Sequence, residues 1–167
     1  MTKVGVGGVV LLPGEARQVD EGSFDVIELA TREITDGSHS LIETIETGVG
    51  TGPPVHIHRD AAESFYVIAG AYSMHLDGRD FDCPAGSFVY VPRGMAHTFR
   101  VLKDGSRKLN LYTPSAMEGY FDELSAAVRT GADEAVLTEI ASRYSMEIVG
   151  PVPRSYLANE GDEASTN

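Results

Sequence analysis

Short stretches of β-forming residues, separated by turn residues, run along the chain as far as residue 113. The candidate strands are residues 4–12, 24–30, 40–47, 54–58, 64–69, 71–77, 87–91, 97–102 and 107–113. Turn signals such as Asp77-Gly78 and Asp104-Gly105 separate several of them. Many short strands at close spacing predict an all-β sandwich or barrel, and a jelly roll is one such closed pair of sheets.

The hydrophobic pattern changes after residue 114, where helical periodicity replaces strand alternation. Residues 115–129 carry apolar side chains at helical spacing, and Ser115 with Glu118 forms a capping-box pattern at their start. Residues 132–143 predict a second short helix, and residues 144–157 predict a segment that returns over the barrel. The predicted fold is therefore an all-β barrel with a short C-terminal helical segment.

Four side chains have the types and the spacing of metal ligands. His56 and His58 lie two positions apart, Glu63 follows five positions later, and His97 lies in a second turn-rich strand segment. Two imidazoles at positions i and i+2 of a strand point to the same face, so a nearby carboxylate can join them on one ion. Together with His97, they predict a metal site that keeps coordination positions open for substrate.

The same residues match two motifs of the cupin superfamily, G-x5-H-x-H-x4-E-x6-G and G-x5-P-x-G-x2-H-x3-N. The matching positions are Gly50, His56, His58, Glu63 and Gly70 in the first motif, and Gly86, Pro92, Gly94 and His97 in the second. Val101 stands in place of the final Asn, which makes that part of the pocket more apolar. The chain therefore resembles a single-domain cupin. The resemblance implies a jelly-roll (double-stranded β-helix) barrel and one divalent transition metal: iron, nickel, cobalt or manganese, with zinc or copper as alternatives.

These observations divide the chain into one domain and a tail. We expect a single cupin domain over residues 1–157, with the metal-binding core at 50–113 and helices within 115–143. The last residues, 158–167, are small, polar and acidic, which is typical of a disordered tail.

Strand alternation also predicts the pocket around the metal. If the ligands point inward, the side chains two and four positions further along each strand do so as well. We expect the pocket to be lined by Phe65, Val67, Phe99, Val101, Leu109 and Leu111. Such an apolar pocket suits a planar or hydrophobic substrate that reaches the metal through one or two oxygens. Glu43 and Glu46 lie on opposite faces of one strand, and the sequence does not decide which of them points inward.

The ligand set, the chain length, the apolar interior and the helical end resemble small bacterial cupins of the quercetin 2,3-dioxygenase type. This resemblance implies a metal-dependent dioxygenase that combines dioxygen with a hydrophobic hydroxy-ketone or enol. Glu63 would then act as the catalytic base as well as a ligand. Two alternatives stay open: a non-redox enzyme such as a polyketide cyclase or isomerase, and a small-molecule-binding protein without turnover. The native metal, the exact substrate and a lid function of the helices also stay open.

Charge and composition narrow the choice of partners. The net charge is −12 and the pI is near 4.7, which argues against binding to nucleic acid or to anionic membranes. The single cysteine, Cys83, cannot form an internal disulfide, and no signal peptide or membrane-spanning run is recognisable, so we expect a cytoplasmic protein. Residues 4–12 are apolar on both faces of a strand, which predicts a homodimer with this segment in or near the interface.

Overall fold

The structure is a computed structural model that describes residues 2–4, 7–20 and 24–151. Its strands are β1 (Thr2–Val4), β2 (Gly8–Val10), β3 (Arg17–Asp20), β4 (Phe24–Ala30), β5 (Ser40–Glu46), β6 (Val55–His58), β7 (Ala62–Ala69), β8 (Ala71–Leu76), β9 (Arg79–Pro84), β10 (Phe88–Val91), β11 (His97–Val101), β12 (Ser106–Thr113) and β13 (Met146–Gly150). Its helices are α1 (Arg32–Thr35), α2 (Tyr120–Arg129) and α3 (Glu134–Arg143). The expected tail at 158–167 and residues 152–157 of the expected domain lie outside the described residues.

Two antiparallel sheets build the molecule and confirm the predicted all-β jelly-roll barrel. The six-stranded sheet has the order β10-β7-β12-β5-β4-β3, and the five-stranded sheet has the order β13-β6-β11-β8-β9. A separate hairpin joins β1 to β2, so the single strand expected at 4–12 is not formed. The division into a domain and a tail stays a prediction.

Strand alternation sets which side chains face the interior of the barrel. In β5 every second residue from Ser40 to Glu46 is buried, and in β12 every second residue from Ser106 to Tyr112 is buried. Such alternation is typical of an antiparallel sheet that packs one face on the core. The pairing of Thr44 with Lys108 then places the buried residues of both strands side by side.

The helical segment begins later than the sequence predicts. Helix α2 begins at Tyr120 rather than near residue 115, because Gly119 precedes it in a left-handed conformation with φ of 78°. Ser115 Oγ does donate to Glu118 Oε1 over 2.7 Å, but this bond stabilises the turn before the helix and not its first turn. The predicted capping box is therefore wrong as a helix start.

Two hydrophobic clusters of buried residues stabilise the fold. One joins the helical segment to the barrel and includes Val26, Tyr112, Met117, Ala141 and Met146. The other fills the remaining interior and includes Val67, Tyr72, Met74, Val91 and Val101. The predicted return of the chain after α3 is formed by β13, which pairs with β6. Among the described residues, no helix is long and apolar enough to cross a membrane.

Candidate metal centre

The potential ligands come together from both sheets of the barrel. His56 and His58 lie on β6 and His97 lies on β11, where His97 pairs directly with His56 across the two strands. Glu63 reaches the same point from β7 in the other sheet. One ligand atom from each of the four residues lies within 4.8 Å of the others, and all four residues are buried. The predicted ligand set therefore forms a single cluster.

Backbone carbonyls orient two of the imidazoles. His56 Nδ1 lies 2.9 Å from the oxygen of Pro54, and His97 Nδ1 lies 3.0 Å from the oxygen of Met95. When a carbonyl accepts the Nδ1 proton, the other ring nitrogen is directed to the opposite side and is available as a ligand. Burial and the charges of the neighbouring histidines lower the pKa of His56 to about 3, so this imidazole is neutral.

Glu63 lies between the other two imidazoles. Its Oε2 is 3.0 Å from His97 Nε2 and 3.1 Å from His58 Nε2, and its Oε1 accepts a hydrogen bond from Asn110 Nδ2 over 3.2 Å. Burial alone would raise the pKa of Glu63, but the close contacts and charges of His58 and His97 hold it well below its usual value. Burial alone would lower the pKa of His97, but the hydrogen bond and the charge of Glu63 raise it.

This donor set fits a first-row divalent metal. His58 Nε2 is buried and, among the described residues, has no partner with hydrogen-bond geometry, although Glu63 Oε2 lies close to it. A buried nitrogen of this kind costs free energy unless a ligand satisfies it. Three imidazoles and one carboxylate are donors that iron, nickel, cobalt, manganese, zinc and copper accept, so the cluster fits a metal without selecting one.

A cavity of about 940 Å³ opens onto this cluster. Its walls carry aromatic and apolar side chains from the barrel and from the helical segment, including Phe24, Phe65, Phe99, Tyr120, Phe121, Leu124 and Leu137. Helices α2 and α3 therefore form one wall of the cavity. A cavity of this size with a mostly apolar lining suits a small molecule of several rings.

The structure corrects part of the predicted pocket lining. Phe65 and Phe99 line the cavity as predicted. Val67 and Val101 point into the barrel but belong to the hydrophobic cluster beyond the cavity. The prediction for Leu109 and Leu111 is wrong, because both lie on the opposite face of β12 and are only partly buried.

The inward positions of β12 carry polar residues instead, and the sequence-based interpretation missed them. Lys108, Asn110 and Tyr112 line the cavity, together with Thr44 and Glu46 of the neighbouring strand β5. The pocket is therefore less apolar than predicted, and Glu46 rather than Glu43 faces inward. The one available signal was the polar alternation of β12 at positions 108, 110 and 112, which the leucines between them masked.

Comparisons with known proteins agree with the fold. The family model described as Cupin domain matches residues 42–110, which include all four potential ligands. This match supports the resemblance to the cupin superfamily that the sequence motifs indicate.

Its relatives are distant. The quercetin 2,3-dioxygenase of Bacillus subtilis (strain 168) is 26% identical over 115 residues, which are 69% of this chain and 34% of that protein. The chain thus spans about a third of the length of this relative. KdgF from Halomonas sp. has a similar structure, with a TM-score of 0.60 at 19% identity over 66% of this chain and 97% of that one. The nucleoside dehydratase Pac13 from Streptomyces has a TM-score of 0.57 at 11% identity, over 89% of this chain and 96% of that one. At such identities the two structures support the fold alone.

Proposed function

We propose that this chain is a metal-dependent dioxygenase of the quercetin 2,3-dioxygenase type, acting on a hydrophobic hydroxy-ketone or enol. The observation that carries the proposal is the buried set of three histidines and a glutamate at the wall of a large, aromatic-lined cavity. The similarity to the Bacillus subtilis enzyme supports the same chemistry. A planar substrate would lie between the aromatic walls with its oxygens toward the cluster.

The residues of the cluster have distinct roles in this proposal. His56, His58 and His97, with Glu63, would hold the metal, which would supply Lewis-acid or redox chemistry at an oxygen of the substrate. Phe65 and Phe99 would orient the rings of the substrate, and the helical wall would exclude water from them.

Glu63 is the proposed catalytic base for the hydroxyl proton of the substrate. A carboxylate held by neighbouring histidines or by a cation is too acidic for this role, as the lowered pKa of Glu63 illustrates. The role therefore requires Glu63 to move away from these partners when the substrate arrives. Burial beside Phe65 would then raise its pKa toward neutrality.

A non-redox reaction is the second candidate. The polar wall formed by Glu46, Lys108 and Asn110 favours it, because an isomerase or cyclase needs groups that bind and move protons at several positions of a substrate. The metal would serve in that case as a Lewis acid only. A binding protein without turnover is the remaining alternative.

Reconstitution separates these candidates. Metal-free protein would be loaded with iron(II), nickel(II), cobalt(II) or manganese(II) in turn and supplied with a panel of flavonols in an oxygen electrode. Oxygen uptake with a ring-cleaved product supports the dioxygenase. Conversion at an equal rate under nitrogen would favour the non-redox enzyme, and binding without conversion by any metal form would favour the binding protein.

A further inference from the structure

A buried ion pair lies in the cavity wall and has no part in the metal cluster. Lys108 Nζ donates to Thr44 Oγ1 over 2.6 Å and to Glu46 Oε1, and the hydroxyl of Tyr72 donates to Glu46 Oε2. Lys108 is fully buried and Glu46 is 3% exposed, yet both line the cavity. The ammonium group also lies over the ring of Phe99, 4.1 Å from its centroid.

Stability alone does not account for such a pair. Removing two charges from water costs several kcal/mol per ion, and apolar side chains of similar volume often stabilise a core equally well. A hydrophobic cluster that includes Val67, Met74, Val91 and Val101 lies in the same interior. An ion pair at the boundary between this core and a cavity is therefore placed where a ligand can contact it.

The pair, which lines the cavity, has hydrogen-bonding capacity beyond its present partners. An ammonium group has three donors, and two of those of Lys108 are used by Thr44 and Glu46. A carboxylate has about four acceptor positions, and within the described part of the chain Glu46 uses two of them, for Lys108 and Tyr72. Because the two charges cancel, a neutral group that both donates and accepts fits better than an anion. A hydroxyl group has this property.

The position of the pair sets the size of its ligand. Lys108 and Asn110 lie two residues apart on the same face of β12, so their backbones are about 7 Å apart. Asn110 contacts Glu63 of the metal cluster. Phe65 and Phe99 line the cavity along with these residues, so a ring between the two polar groups would have aromatic neighbours. A molecule of two or three linked rings spans this distance.

We propose that Lys108 and Glu46 form a second binding site in the cavity, which recognises a phenolic hydroxyl on the substrate ring farthest from the metal. This inference rests on the proposed function, because it assumes that a hydroxy-ketone occupies the metal cluster. It narrows the substrate to aromatic hydroxy-ketones that carry a further hydroxyl group on an outer ring.

The test compares ligands that differ by one hydroxyl. Metal-loaded protein under nitrogen would be titrated with 3-hydroxyflavone and with derivatives that carry one added hydroxyl on either outer ring. We expect one derivative to bind the wild-type protein about tenfold more tightly than the parent, since a hydrogen bond to a charged group contributes on this scale. Lys108→Met and Glu46→Gln should each remove most of this preference and leave the affinity for 3-hydroxyflavone within about threefold.

Controls keep the two proposals separate. Glu43→Gln changes the outward-facing glutamate of the same strand and should keep the preference. The double variant Glu46→Gln/Lys108→Met leaves no unpaired charge and serves if a single variant fails to fold. Binding of the parent with no preference for any derivative overturns the second site alone, as does a preference that survives both substitutions. Failure of every flavonol to bind overturns the proposed function together with this inference.

Discussion

Replacement of Lys108 by methionine tests whether the ion pair in the cavity wall is placed as described. The substitution keeps the length of the side chain but removes its charge, so Glu46 is left buried without its cation. Glu46 would retain only the hydroxyl of Tyr72 as a donor, out of the two partners it has now. Breaking one side of a buried pair typically costs about 3–5 kcal/mol, because the remaining charge is not compensated.

The expected size of the effect follows from the position of the pair at a cavity. Solvent or a ligand in the cavity can partly compensate the charge of Glu46. We therefore expect Lys108→Met to lower the free energy of unfolding by about 3 kcal/mol, the lower end of this range. In a chain of this size a change of about 1 kcal/mol shifts the melting temperature by roughly 2–4 °C. Lys108→Met should therefore lower the melting temperature by about 6–12 °C. The double variant Glu46→Gln/Lys108→Met should recover much of this loss, since it leaves no charge unpaired.

A neighbouring ion pair provides a matched control on the same two strands. Arg107 pairs with Glu43 on the outer face of the sheet, and the side chains are 44% and 13% exposed, respectively, compared with 1% for Lys108. Arg107→Met should cost no more than about 1 kcal/mol, because solvent screens such a pair. Urea or thermal unfolding of metal-free protein measures both variants. Equal destabilisation by Lys108→Met and Arg107→Met, or a double variant as unstable as Lys108→Met, would refute the reasoning.

Further expected outcomes concern the metal cluster, one glycine and the assembly. Glu63→Gln should keep much of the metal but reduce turnover by roughly a hundredfold or more, whereas His56→Ala should lose both the metal and the turnover. A normal rate in Glu63→Gln would exclude the base role. Metal uptake should release protons and weaken as the pH falls, because a proton on His97 competes with the metal. Burial lowers the pKa of His97, but the larger effect of Glu63 raises it above its usual value. Calorimetry in buffers of different ionisation enthalpy measures this release, and pH-independent uptake would contradict it. Gly52→Ala should lower the free energy of unfolding by about 3 kcal/mol or more, since a Cβ at Gly52 would lie 1.8 Å from the carbonyl oxygen of Phe99. An unfolding midpoint equal to that of the wild type would disprove the contact. We also expect a homodimer with residues 4–12 in or near the interface, and light scattering that finds a monomer of 17.9 kDa would argue against it.

The ligand set could be predicted from the sequence because it depends on local geometry. His56 and His58 share a face of β6 by alternation, and β6 pairs directly with the strand that carries His97. Glu63 follows after a short turn that reverses the chain into the opposite sheet. The relations among His56, His58 and Glu63 need only strand periodicity and a turn, and both are visible in the residue order. The pairing that brings His97 to them is not local, and His97 could be predicted because it matches the second cupin motif.

The inward face of β12 could not be read in the same way. Its sequence alternates between a polar set at positions 106, 108, 110 and 112 and a set that includes Leu109 and Leu111. Hydrophobicity alone favours the leucines for the interior. In the structure the polar set faces inward instead. The interior at this point is a cavity wall that contains the ion pair of Lys108 and Glu46, and not a close-packed core. Lys108 finds its counter-charge on β5, at a distance in sequence that no local pattern reveals.

The register of β12 therefore determines which side chains lie at the two ends of the proposed substrate site. Asn110 contacts Glu63 at the metal cluster, and Lys108 contacts Glu46 two residues away on the same face. A shift of one residue toward the C-terminus would replace both with leucines and leave Glu46 buried without a cation. The jelly roll could still form with such a shift, but the cavity would lose its polar wall. In this chain the fold positions the metal ligands, whereas the pairing of β12 with β5 and β7 determines which molecules the cavity can distinguish.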